Sequence, residues 1–210
     1  MKKLLIVCTG DYAREVYWHA QNSKGYGTEF VIKGFLEGNV PLKAEYNLFP
    51  MPVIDNVINY KICDDDVFVI ANSDGKLKEE LAEILERKKA KFINIIHNTT
   101  QIASSAKFGY DVIIGPFCMV SVDSVIGNHV MLNCFDSLGH DVVIGNFTSI
   151  MSHVDITGNC KVEDHTFWGS GARALPGSRI GNYAKIGAGS VVLKKVHAGE
   201  TVFGVPAMPI

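Results

Sequence analysis

The run Val125-Ile126-Gly127-Asn128-His129-Val130-Met131-Leu132-Asn133-Cys134-Phe135-Asp136-Ser137-Leu138-Gly139-His140-Asp141-Val142-Val143-Ile144-Gly145-Asn146 decides the fold. Every sixth residue in it is a large aliphatic: Ile126, Leu132, Leu138, Ile144. The same frame extends back through Val120, Ile114, Phe108 and Ile102. It extends forward through Ile150, Ile156, Val162, Trp168, Ala174, Ile180, Ile186 and Val192 to Ala198, every place apolar. The fifth place of each hexad is small (Val130, Val142, Thr148, Cys160, Ala172, Ser178), with Asp136 the exception, and the second is often Gly. A period of six fits neither an α-helix nor a hairpin strand, but it does fit a parallel β-helix of hexapeptide repeats. In such a coil the large residue fills the interior and the small one sits beside it at a corner.

A second period of eighteen runs through the column Asn128, Asn146, Asp164, Asn182. These residue types tolerate left-handed backbone angles, so the column is expected to turn one corner of a coil that closes after three hexads. The result is a triangular prism. Ile102 to Phe203 holds 102 residues, and 102/18 gives between five and six coils, stacked to roughly 27 Å at the ~4.8 Å inter-strand spacing.

The first hundred residues alternate strand and helix patterns. Strands are expected at Lys3–Val7, Glu29–Leu36, Asp66–Ala71 and Lys91–Ile96, with an irregular segment from Val40 to Val53. One helix carries Ala13, Val16, Tyr17 and Ala20 on one face. Another, opened by Asn72-Ser73-Asp74, carries Leu77, Leu81, Ile84 and Leu85. This order predicts an α/β N-terminal domain of Rossmann-like type over residues 1–98, joined without a long linker to the β-helix domain over 99–210. The loop Cys8-Thr9-Gly10-Asp11 follows the first strand. Gly10 there would let backbone approach a phosphate at a helix N-terminus, and Glu37, closing the second strand, stands where a ribose-binding acid would be.

The net charge of −2 with mixed signs gives no reason to expect nucleic acid or an acidic membrane as a partner. The five Cys include no C-x-x-C spacing, and Cys118 and Cys160 fill small inward places, which suits a reducing, cytoplasmic setting. The apolar run after Lys3 is too short for a signal core, and no stretch is long enough for membrane insertion. His129, Phe147, His165 and Tyr183 share one column and are expected to stack along a corner. The other His fall in different columns, so no metal site is expected. His140 stands apart from such a stack and is followed by Asp141. An imidazole with a carboxylate partner is held in one tautomer and made more basic, as a general base near neutral pH requires. Alternatively, Asp141 merely shapes a turn. Gly169-Ser170-Gly171 and Gly187-Ala188-Gly189 leave backbone amides bare along a groove where an extended pantetheine arm could lie, or they serve only the turns.

At Gly139-His140-Asp141-Val142-Val143-Ile144-Gly145, Ile186-Gly187-Ala188-Gly189-Ser190, Gly204-Val205-Pro206-Ala207 and Phe92-Ile93-Asn94-Ile95-Ile96-His97 the chain resembles the hexapeptide acyltransferases. More closely, it resembles the sialic acid O-acetyltransferase family, which includes bacterial N-acetyltransferases of UDP-linked 4-amino sugars. The resemblance implies a left-handed prism and a homotrimer with active sites between neighbouring prisms. It implies His140 as general base, Asp141 as its partner and Asn133 nearby. Acetyl-CoA would lie near Ser149, Gly158, Ser170 and Ala188, and a sugar nucleotide would be held by Thr9, Gly10, Asp11 and Glu37. The likeness departs at Cys8, Tyr12 and Glu37-Gly38, and Ser149 stands where some relatives carry a second His. The expected activity is acetyl-CoA-dependent N-acetylation of a nucleotide-linked amino sugar in surface-glycan synthesis. The rival expectations are O-acetylation of a sugar of the sialic acid type and a non-catalytic trimeric sugar-nucleotide-binding protein.

Overall fold

A computed structural model describes residues 1–38 and 49–210. Most of the irregular segment expected from Val40 to Val53 therefore lies outside the described residues. The chain begins with β1 (Lys2–Val7), α1 (Asp11–Gln21), β2 (Phe30–Glu37), β3 (Val53–Asn56), β4 (Asp66–Ile70) and α2 (Gly75–Arg87). The four strands form one parallel sheet in the order β3-β2-β1-β4. Leu4, Leu5, Ile6 and Val7 are fully buried because the sheet is covered on both faces. Leu4 and Ile6 pack with Ala13, Val16 and Ala20 of α1, whereas Leu5 and Val7 pack with Leu81 and Leu85 of α2. α2 starts where the sequence places it, since Asp74 Oδ1 accepts from Lys76 N at 2.9 Å and Leu77 N at 3.1 Å.

From Ile95 onward the chain is a parallel β-solenoid of the left-handed type. Its two-residue strands stack into sheets of six, eight and six. Among the strands up to Val192, each pairs with those eighteen residues away, as Val125–Ile126 does with Lys107–Phe108 and Val143–Ile144. The interior is the predicted column, with Ile114, Leu132, Leu138, Ile150, Ile156 and Trp168 at 0 % exposure. The Trp168 indole N–H, which would be orphaned in so apolar a place, donates to Thr166 Oγ1 at 3.2 Å.

Three features differ from the sequence expectation. Ile95–Ile96, expected in the first sheet, pairs instead with Ile113–Ile114 of the solenoid, and only Phe92 bridges to Phe68. The hexad frame does not run unbroken to Ala198. After Val192 the next inward residues are Val196 and Val202, because Lys194 O accepts from Arg179 N and the corner loses two residues, leaving Ala198 exposed. Finally, the left-handed angles fall one place after the Asn column, on His129 (φ 57), Phe147 (56), His165 (58) and Tyr183 (61). The Asn column serves hydrogen bonding. Asn146 Oδ1 accepts from Asn128 N at 2.8 Å, Asp164 Oδ1 from Asn146 N at 2.7 Å, and Asn182 Oδ1 from Asp164 N at 2.9 Å, so each carboxamide or carboxylate links to the coil before it.

The strained aromatic places stack as expected. His129 and Phe147 have ring centroids 4.7 Å apart at 4°, Phe147 and His165 are at 5.0 Å and 13°, and His165 and Tyr183 are at 4.5 Å and 6°. α2 docks on this corner. Lys78, 1 % exposed, lies between α2 and the wall of the prism and donates to His129 O at 2.9 Å, Thr148 O at 3.3 Å and Ser149 Oγ at 2.9 Å. Asp111, equally buried, completes the joint: its Oδ2 lies 2.7 Å from His129 Nδ1, and its Oδ1 accepts from Ile70 N at the end of β4.

Candidate active site

Gly139, His140, Asp141 and Val142 form the corner between two sides of the prism. Asp141 holds φ 58, a left-handed angle that aims its side chain back at its neighbour. Asp141 Oδ2 lies 2.8 Å from His140 Nδ1. With the carboxylate accepting from Nδ1–H, the lone pair is left on Nε2. The His140 side chain is 57 % exposed, and Nε2 is its ring nitrogen not bonded to Asp141. One coil further on, Gly158 lies beneath the ring: a Cβ there would sit 2.5 Å from Nε2 and 2.7 Å from Cε1. Glycine at 158 therefore makes room for the imidazole, and the ring, its carboxylate partner and the bare backbone form one built constellation.

The other expected residues lie elsewhere on the chain. Asn133, Ser170 and Ala188 occupy a different corner, separated from His140 by the side that carries Ser137–Leu138. There Asn133 O accepts from Cys118 Sγ at 2.9 Å. The aromatic column Phe117–Phe135–His153 at that corner gives way to Gly171 and Gly189, both at positive φ, and this opens the surface beside Ser170 and Ala188. Ser149, expected at an acetyl-CoA contact, is 1 % exposed with its hydroxyl occupied by Lys78, so its side chain is not available to a ligand.

The N-terminal loop sits at the carboxyl end of the parallel sheet. Thr9 Oγ1 donates to Glu37 Oε2 at 2.6 Å, and Gly38 N donates to Glu37 Oε1 at 3.0 Å. Glu37 is therefore buried and orders the loop from within. Gly10 caps α1 with extended angles and open space where a Cβ would be. Asp11 is largely exposed and pairs with Arg14 at 2.7 Å. Cys8 stands where the resembling family has glycine and takes a glycine-like φ of 88, while burial pushes its thiol up to about 12. Sequence reading missed Lys78 and Asp111. The signal for Lys78 was its place in the stripe with Leu81, Ala82 and Leu85, at helical spacing.

Residues 159–194 match the profile of the bacterial transferase hexapeptide repeat (six repeats). The match covers 36 of the 210 residues and shows the hexapeptide repeat in that stretch of the coil. Across its full length it superposes on the acetyltransferase domain of PglB from Neisseria gonorrhoeae, with TM-score 0.88, 23 % identity and 100 % of each chain covered. It likewise superposes on a variant of perosamine N-acetyltransferase from Caulobacter crescentus in complex with CoA and GDP-perosamine (TM-score 0.89, 22 % identity, 100 % of this chain and 97 % of that one). At this identity the likenesses establish a shared fold that includes the N-terminal unit. A Schizosaccharomyces pombe protein named as an acetyltransferase is 34 % identical over 85 residues, which is 40 % of this chain and 41 % of that protein. The chain therefore spans about two fifths of that curated relative's length. Among the described residues no helix is long and apolar enough to cross a membrane.

Proposed function

We propose that this protein is an acetyl-CoA-dependent N-acetyltransferase acting on the amino group of a nucleotide-linked amino sugar. The observation that carries the reading is the His140–Asp141 pair at 2.8 Å, on an imidazole side chain that is 57 % exposed and lies over Gly158. The acceptor nitrogen attacks the thioester carbonyl, its proton passes to His140 Nε2, and the C–S bond breaks to release CoA, which takes the proton as its thiol. Asp141 holds the tautomer and stabilises the imidazolium as it forms. Acetyl-CoA lies along the bare backbone near Gly158, Ser170 and Ala188, with Asn133 beside the reacting centre. Because His140 and Asn133 occupy different corners of one prism, the reading includes a homotrimer in which neighbouring copies complete each site. The Rossmann-like N-terminal unit, through Thr9, Gly10 and Asp11 with Glu37 ordering the loop, holds the sugar nucleotide. The similarity to a perosamine N-acetyltransferase, solved with CoA and GDP-perosamine, supports both substrate classes. The free cysteines fit a cytoplasmic site of action.

The test is thiol release from acetyl-CoA with UDP-, GDP- and dTDP-linked 4-amino sugars as acceptors. His140→Ala should lower kcat by at least ~10²-fold without weakening CoA binding. Near-normal turnover in that variant would refute the role. Product acetylated on oxygen would replace the amine acceptor by a hydroxyl and leave the base unchanged.

A further inference from the structure

The ring column on the α2 corner stops one rung short. His129, Phe147, His165 and Tyr183 each hold a left-handed φ, each with its amide bonded to the coil before, as Tyr183 N is to Asp164 O. Gly199 continues that series: its N donates to Asn182 O at 2.8 Å and its φ is 75. Glycine carries no ring, and a Cβ placed on it meets nothing within 4 Å. Beyond His165 no second ring stacks on Tyr183, which is 44 % exposed.

The space beside it is a cavity of about 720 Å³ lined by Ser73 to Lys76 at the start of α2 and by His165, Thr166, Phe167, Tyr183, Lys185 and Gly199 of the prism. Lys76 Nζ lies over the Tyr183 ring, 6.0 Å from its centroid, at the end of a long side chain that can give way to a ligand, and Lys185 stands on the adjacent strand. The acid among these lining residues, Asp74, is already committed to capping α2. A flat face open for stacking, flanked by two ammonium groups in a space of this size, suits a planar heteroaromatic ring that carries phosphate.

We propose that this cavity binds a nucleotide, with its base stacked on Tyr183 as the missing rung of the ladder and its phosphates paired to Lys76 and Lys185. The site lies on a different corner from His140 and does not depend on which group is acetylated or on the identity of the base. Two sources share this chemistry: the adenosine 3′,5′-bisphosphate end of CoA and the nucleoside diphosphate of a sugar nucleotide.

Isothermal titration of the full chain with adenosine 3′,5′-bisphosphate in one arm, and with UDP, GDP and dTDP in the other, tests the proposal and names the source. Tyr183→Ala should weaken the binding arm by about 10-fold or more, the usual effect of removing a base-stacking ring. Tyr183→Phe should retain affinity, Lys185→Glu should abolish binding, and Lys107→Ala, on another side of the prism, should change nothing. Thermal melting of each variant confirms that it folds. Absence of binding by all four probes overturns the site, as does affinity in Tyr183→Ala within twofold of the parent. Because no turnover is read, a failure here is distinct from failure of the acetyl-transfer assay.

Discussion

Lys78 of α2 donates to Ser149 Oγ at 2.9 Å on the outer face of the prism that α2 covers, so a buried ammonium group joins the two halves of the chain. Burial is the largest influence on Lys78 and pushes its pKa down from 10.5 to about 7, against a smaller upward pull from Asp111 and Asp74. Between pH 7 and 10.5 the unfolded chain binds a proton at Lys78 that the native chain has released. Stability from this group therefore rises with pH across that window, at up to about 1.4 kcal/mol per unit. Below pH 7 both states are protonated and the slope vanishes. Lys78→Met removes the group, so wild type should gain about 2–3 kcal/mol on the variant between pH 7 and 9. Urea midpoints at the two pH values measure this; an unchanged gap would show that Lys78 does not titrate in the joint.

Asp136 gives a slope of opposite sign. It is the one acid at the small inward place, 1 % exposed, with Oδ1 accepting from Val154 N at 2.9 Å. Burial raises its pKa from 3.8 to about 8, against smaller lowering by backbone hydrogen bonds. From pH 3.8 to 8 the native chain holds a proton that the unfolded chain has lost, so stability falls as pH rises through the window. Asp136→Asn keeps the acceptor for Val154 N and cannot ionise. It should match wild type near pH 4 and gain on it by up to about 1.4 kcal/mol per unit toward pH 8, then hold level. A pH-independent difference in melting free energy would contradict the assignment.

The interior of the prism was legible because each side contributes one large residue per hexad, and no other fold reads with that period. The corner angles were assigned to the wrong column. Asn128 and Asn146 satisfy two roles that look alike in sequence, left-handed turning and amide capture, and the structure uses the second. The shortened corner at Leu193–Lys194 was hidden because Ala198 kept the frame apolar while sitting outside. Lys78 was passed over because lysine reads as a surface residue, although its spacing from Leu81, Ala82 and Leu85 put it on the buried face. His140–Asp141 was visible as a pair of neighbours. The need for glycine at 158 became visible only once the coils were stacked.

Phe147 tests how the ring ladder supports strained backbone. Its φ is 56, and its ring lies between His129 and His165 at 4.7 and 5.0 Å. Phe147→Ala loses both stacks and keeps the unfavourable angle, which should cost about 2–3 kcal/mol. Phe147→Gly loses the same stacks but relieves the angle, so it should be the milder substitution by about 1 kcal/mol despite deleting more atoms. Chemical denaturation of the pair decides the matter. If glycine proves the worse substitution, backbone strain is not what the ladder offsets.

Gly158 separates the position of the His140 ring, the proposed base, from the stability of the coil. A methyl group there would approach His140 Nε2 to 2.5 Å, inside any real contact, so the imidazole must swing outward. The ring is 57 % exposed and free to move, and the Gly158 backbone can remain in its strand-to-corner geometry. Gly158→Ala should therefore leave the melting temperature close to wild type, whereas a displacement of about 1 Å at the base costs roughly 10²-fold in kcat. The His140–Asp141 bond at 2.8 Å is the element that breaks when the ring moves, so kcat should fall while CoA binding is retained. Turnover within threefold of wild type would place the proton acceptor somewhere other than His140.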